Sequence, residues 1–182
     1  EEHRYCPVCG ALPAAIVASD ALAAETARLD LLGELPAASA GALREQGVFS
    51  RIYVDTLENL VGLTETLASS VFHAAVTDAA QRIRSRGNIF QRLDDTAELF
   101  AAAGYAHVRA VLGPVVWQRL QEAWAARHVF THNDGIVDDK YLARVPASPV
   151  QRGQRLLVSE RSCRQAIIDT AALCAAITGL TA

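Results

Sequence analysis

Between Phe49 and Ala75 the apolar residues Ile52, Tyr53, Leu57, Leu60, Leu63, Leu67, Val71 and Ala75 recur at steps of three and four, which places them on one face of an α-helix. The pattern meets neither Gly-Asn nor Pro until Gly87-Asn88, so it predicts one long helix over 49–86. Ile89, Phe90, Leu93, Ala97, Leu99 and Phe100 then predict a shorter helix over 88–104, followed by a weak helical turn at 105–112. Gly113-Pro114 opens a third helix over 114–133. Pro114 suits a first helical position and Gly135 a left-handed residue past the end, with Val115, Leu120, Ala123, Trp124, Val129 and Phe130 as the apolar face. Ser159 caps a fourth helix over 159–179 with Glu160 in its first turn, and Ile167, Ile168, Ala171, Leu173 and Ile177 are its expected buried face. Ahead of these, Ser19 and Asp20 cap a helix running to about Leu32, stopped by Gly33 and Pro36, and a short helix spans 38–46. Tyr141–Val145 and Arg155–Val158 alternate in polarity, which leaves room for a short β-hairpin before the last helix. The expected fold class is all-α: a four-helix bundle over 48–182 behind a small lead-in over 1–47.

Composition agrees with helices. Of 182 residues, 34 are Ala against 11 Gly and 6 Pro, and 51% are hydrophobic. That content excludes disordered and collagen-like chains and argues against an all-β sandwich, and the length fits one principal domain with a small appendage. Seventeen basic and twenty acidic side chains give a net charge of -3, which argues against coating DNA by broad charge neutralisation. The charge is uneven, however. Between 140 and 164, Lys140, Arg144, Arg152, Arg155, Arg161 and Arg164 face only Glu160. This window is either a solvated loop face or a patch for a phosphate-bearing partner. No apolar run reaches the ~18 residues needed to span a bilayer, and the amino terminus has no basic-then-apolar signal pattern, so the chain reads as cytoplasmic with no membrane partner. It contains no Met, which reads as a fragment or a processed chain.

Four cysteines fall into two kinds. Cys163 and Cys174 are eleven residues apart, about 16 Å along a helix, so they cannot share an ion and read as small buried hydrophobes. Cys6-Pro7-Val8-Cys9-Gly10 instead resembles one half of a zinc ribbon, two thiolates around a tight turn. A closed structural zinc site needs four ligands, and only His3 lies nearby. Three readings stand: a partner knuckle precedes Glu1, a second chain or an odd ligand completes the site, or Cys6 and Cys9 hold no metal. No βαβ pattern surrounds the pair, so a redox role is disfavoured.

The third helix ends Ala126-Arg127-His128-Val129-Phe130-Thr131-His132-Asn133-Asp134-Gly135. On an ideal helix Arg127 and His132 project about 140° apart, but Arg127 is long and His132 stands where the helix is ending, so both can reach one site. A helix carboxyl end favours a protonated imidazole and so suits proton transfer near neutral pH. The alternative is a pair of cations that only caps the helix. His128 and His132, four apart, have the spacing of two metal ligands, although no Glu stands at 129 and no third ligand is evident. Asn133 and Asp134 are either chain-terminating polar residues or, for Asn133, an aid in holding phosphate. Glu58 and Asn59 lie in an apolar helix, either as a solvated face or as groups orienting Arg127. His73 and His107 read as packing or surface residues.

The Arg-x4-His string near the end of a helix in a four-helix bundle resembles the HEPN (higher eukaryotes and prokaryotes nucleotide-binding) family. RHVFTHNDGIVDDKYL also looks like bacterial, defence-related members, and the resemblance covers about 49–180. It implies RNA cleavage without a metal ion at a site composed from two protomers, with Arg127 and His132 as the catalytic pair. His128, Asn133, Arg144, Arg152 and Arg155 are the expected substrate-binding side chains. A variant of the family carries Tyr two residues after the His; Asp134 stands there in this chain, which argues against regulation by modification of that tyrosine. Two functions therefore stand: an endoribonuclease of a toxin or antiviral defence system, whose knuckle docks or senses and whose partners include RNA, a second copy and further domains or subunits, or a catalytically silent nucleotide- or partner-binding and assembly module. No cofactor is expected for catalysis, and zinc only as a structural ion.

Overall fold

The computed structural model describes residues 5–6 and 10–181. Two short strands, β1 (Tyr5–Cys6) and β2 (Gly10–Ala11), pair antiparallel with Cys6 opposite Gly10. The cysteine side chains of the expected knuckle lie outside the described residues. The helices are α1 (Ala14–Gly33), α2 (Ala37–Glu45), α3 (Val48–Ala75), α4 (Ala79–Ile83), α5 (Leu93–Ala102), α6 (Val108–Asn133), α7 (Asp139–Arg144) and α8 (Glu160–Gly179). A 3-10 turn, Ile89–Gln91, leads into α5. The all-α expectation therefore holds. Among the described residues no helix is long and apolar enough to cross a membrane.

The centre of the molecule is α3, which buries side chains on two sides because its apolar stripe is wide. On one side Val61, Ala68 and Phe72 meet Phe90, Phe100, Trp117, Leu120 and Leu173. On the other, Leu57, Leu60 and Leu67 meet Leu22, Leu29 and Leu32 of α1 and Cys163, Ile167 and Cys174 of α8. The helices of residues 14–45 thus contribute to a core shared with α3 and α8. Cys163 and Cys174 are buried as expected, and desolvation pushes their thiols up to about 12 and about 11.

Several boundaries differ from expectation, each for a local reason. α1 begins directly after Pro13, with Ser19 and Asp20 inside it; the good helix formers Ala14 and Ala15 extend it upstream. α3 stops at Ala75 rather than 86, because Val76 takes an extended backbone (φ -114°, ψ 114°) and buries its own side chain. The helix is kinked at Gly113 and resumes at Pro114. Gly113 has φ 77° and ψ 165°, a region open to glycine, and Pro114 lacks the N–H that a first turn would leave unpaired. On α8, Ile168 is 62% exposed, and the buried face runs instead through Cys163, Ala166, Ile167, Leu173 and Ile177. Ser159 caps that helix as expected, in a reciprocal pair with Ser162.

The expected hairpin at 141–145 and 155–158 is absent, and 139–144 is helical instead. Tyr141 and Val145, four apart, are buried together, whereas Ala143, which an alternating strand would place beside them, is exposed. Asp138 fixes the choice by accepting the Tyr141 N–H at 2.8 Å as a helix cap. The extended segment near 155 pairs with 135–137, through Leu156 N–H to Gly135 O (2.8 Å) and a bridge between Ile136 and Arg155. Tyr141, Val145 and Leu156 close a third small core with Ala125, Val129 and Val137.

Candidate functional site

The carboxyl end of α6 is built to turn sharply. Asp134 (φ 50°) and Gly135 (φ 77°) are both left-handed, and a Cβ on Gly135 would stand 2.8 Å from the Phe130 ring. Only glycine meets both demands. The chain then reaches Asp138, whose carboxylate accepts from Asn133 Nδ2 (2.6 Å) at the end of α6 and from the Tyr141 N–H at the start of α7. These bonds hold the Asp138 carboxyl below its ordinary range, the Tyr141 N–H first among them. One carboxylate thereby joins two helix ends and sets α7 against α6.

This joint brings two i,i+4 pairs face to face: His128 and His132 on α6, Lys140 and Arg144 on α7. They line a cavity of about 500 Å³ together with Arg127, the floor residue Trp124 and, from the start of α5, Arg92, Asp94 and Asp95. Arg127 and His132 do share this site, as the ending of the helix allows. The His128 and His132 ring centroids are 4.6 Å apart. Lys140 Nζ donates to His128 Nε2 at 3.1 Å, which requires that nitrogen to be unprotonated. Burial first, then the neighbouring Lys140, His132 and Arg144, hold the His128 imidazole below its ordinary range. Arg127 Nε is buried and without a hydrogen-bond partner, as is Trp124 Nε1. Among the described residues neither Arg127 nor Arg144 meets a carboxylate.

The remaining expected site residues lie elsewhere. Asn133 is engaged with Asp138 and does not line the cavity. Arg152 pairs with Asp139 at 3.1 Å and Arg155 with Asp134 at 3.7 Å, both outside it. Glu58 accepts from Thr131 Oγ1 at 3.2 Å, one turn beyond Arg127, while Asn59 turns to Glu25 on α1, so neither orients Arg127. His107 caps α6 by accepting the Arg109 N–H, and His73 is an exposed helix residue. Among the described residues no group of three His, Cys, Asp or Glu is arranged to hold a metal ion, so the His128/His132 pair gains no third ligand. Sequence reading missed Arg92, Asp94, Gln121 and Trp124 as site residues and saw Lys140 only as part of the basic window. For Lys140 the further signal was its i,i+4 spacing to Arg144 after a capping Asp138.

The chemistry available is anion binding beside a proton-transfer group. Four cations and two carboxylates line the cavity, so with neutral imidazoles it carries a surplus of positive charge. No family model, no curated protein and no solved structure matches the chain.

Proposed function

We propose that this cavity cuts RNA as the site of a HEPN-type endoribonuclease working in a toxin or antiviral defence system. The observation that supports it is the convergence of Arg127 and His132, with Lys140 and Arg144, on one concave site. In the proposed reaction His132 takes the proton of a ribose 2'-hydroxyl, and the freed oxygen attacks the adjacent phosphorus. Arg127 and Arg144 stabilise charge gathering on the phosphate oxygens. The bond to the 5'-oxygen breaks and that oxygen takes up a proton, leaving a 2',3'-cyclic phosphate and a 5'-hydroxyl. No step calls for a metal ion. A second copy of the chain across a two-fold interface supplies the leaving-group proton, and exposed Val115 on α6 and Ile168 on α8 are candidate contacts for it.

A second reading, a catalytically silent nucleotide- or partner-binding and assembly module, needs only the surplus of positive charge in the cavity and no proton transfer. Purified protein incubated with RNA in EDTA separates the two. Cleavage that His132→Ala abolishes supports the enzyme, and binding without cleavage supports the module. A DNA strand of the same sequence should resist cutting, because it lacks the 2'-hydroxyl.

A further inference from the structure

The cavity has two chemically different ends. At one, α6 and α7 gather His128, His132, Lys140 and Arg144; at the other, the first turn of α5 brings Asp94 against Gln121 of α6. Gln121 and His128 are two turns apart on one face of α6, about 10 Å along its axis, a span that one nucleotide bridges from phosphate to base. Between them Trp124 and Leu93 form an apolar floor suited to ribose and base faces. Gln121 Nε2 donates to both Asp94 oxygens, at 3.1 and 3.3 Å, which leaves the exposed carboxylate with unused acceptor capacity and holds its orientation. Asp95 is engaged with Arg92 at 2.8 Å and does not compete for the same role.

We propose that the cavity seats a single nucleotide with its phosphate at the α6–α7 end and its base at the α5 end, where Asp94, held by Gln121, selects a base that offers an exocyclic amino group. The inference rests on the phosphate-binding reading of the other end. A carboxylate accepts from the amino group of cytosine or adenine, whereas uracil turns a carbonyl oxygen toward it and meets like polarity. Cytosine over uracil is the sharpest contrast, since the two differ at that edge and hardly in size. Asp94 is thus a specificity-determining residue, separate from the groups that handle the proton.

Calorimetric titration of the full chain with cytidine 3'-monophosphate and uridine 3'-monophosphate tests this. The wild type should bind the cytidine nucleotide roughly tenfold more tightly. Asp94→Asn, which replaces one acceptor with a donor, should bring the two within about twofold, while Arg144→Ala should weaken both nucleotides alike. Equal affinities in the wild type, or a preference that Asp94→Asn leaves in place, would overturn the base-reading proposal while the phosphate site stands. Failure of the wild type to bind either nucleotide would overturn both. Circular dichroism of each variant shows that it is folded.

Discussion

Two clusters of polar side chains sit within the same bundle and are resolved in opposite ways. Between α1 and α3, Glu25 is 7% exposed and is met by Arg28 Nη2 at 2.6 Å and Asn59 Nδ2 at 2.7 Å, while Arg28 also reaches Thr56 Oγ1 at 2.8 Å. One carboxylate answers one guanidinium, and amide and hydroxyl groups fill in around them. Each cluster leaves one buried guanidinium N–H without a partner, Arg28 Nε in the first and Arg127 Nε in the second, but at the α6–α7 end the cations outnumber the carboxylates, and Lys140 meets an imidazole, His128, in place of a carboxylate. The first cluster balances its charge internally. The second leaves a surplus of positive charge whose natural complement is an anion from outside.

The comparison breaks most sharply under mutation. His132→Ala and Arg127→Ala should each lower RNA cleavage by about 10²-fold or more with the melting temperature nearly unchanged, measured as initial rates on a labelled oligonucleotide. If instead the loss tracks unfolding, the two clusters are of one kind. Glu25→Ala should do the reverse: it strands the half-buried Arg28 and lowers stability by about 2–3 kcal/mol, read as a lower denaturant midpoint at constant slope, with cleavage retained in the folded fraction.

Gly135→Ala is intermediate. Its positive φ and the close Phe130 ring should lower stability by about 1–2 kcal/mol, and because it moves the α6–α7 joint it should also weaken anion binding, which calorimetry with inorganic phosphate reads. The smallest effects are in pH. Asp138 has its carboxyl held below the ordinary 3.8, so its stabilising contribution is whole above that pH and is lost as pH falls through the lowered value. The half-buried His128 imidazole lies below its ordinary 6.5, so between the lowered value and 6.5 the unfolded chain binds more protons and stability rises with pH. His128→Gln should flatten the thermal-melting profile across that window; an unchanged slope would show that His128 titrates as it does in the unfolded chain.

Much of this arrangement was legible in the sequence, and the failures follow a rule. Long periodic stretches such as that through Leu57, Leu60 and Leu67 read correctly because burial enforces the spacing. The end of α3 did not, since residues 76–86 contain neither Gly nor Pro and the turn there is made by burying Val76. Residues 141–145 misled because in so short a segment alternation and i,i+4 spacing share positions: Tyr141 and Val145 satisfy both. Arg127 and His132 were visible as a spacing within one helix. Asp94 and Gln121 were not, because they meet only through the packing of α5 on α6, and Arg152 and Arg155 looked like binding residues because local charge does not show which carboxylates a fold returns to them.

The shortness of α7 gives the site a kinetic character. Six residues cannot hold a helix by themselves in water, so α7 persists through Tyr141, Val145 and the Asp138 joint. Local opening of that unit withdraws Lys140 and Arg144 together, and apparent anion affinity then scales with the fraction of molecules in which α7 is docked. By the same linkage a bound anion slows the opening. The Leu142 and Val145 amides, bonded to Asp138 and Tyr141 carbonyls, become its reporters through slowed hydrogen exchange.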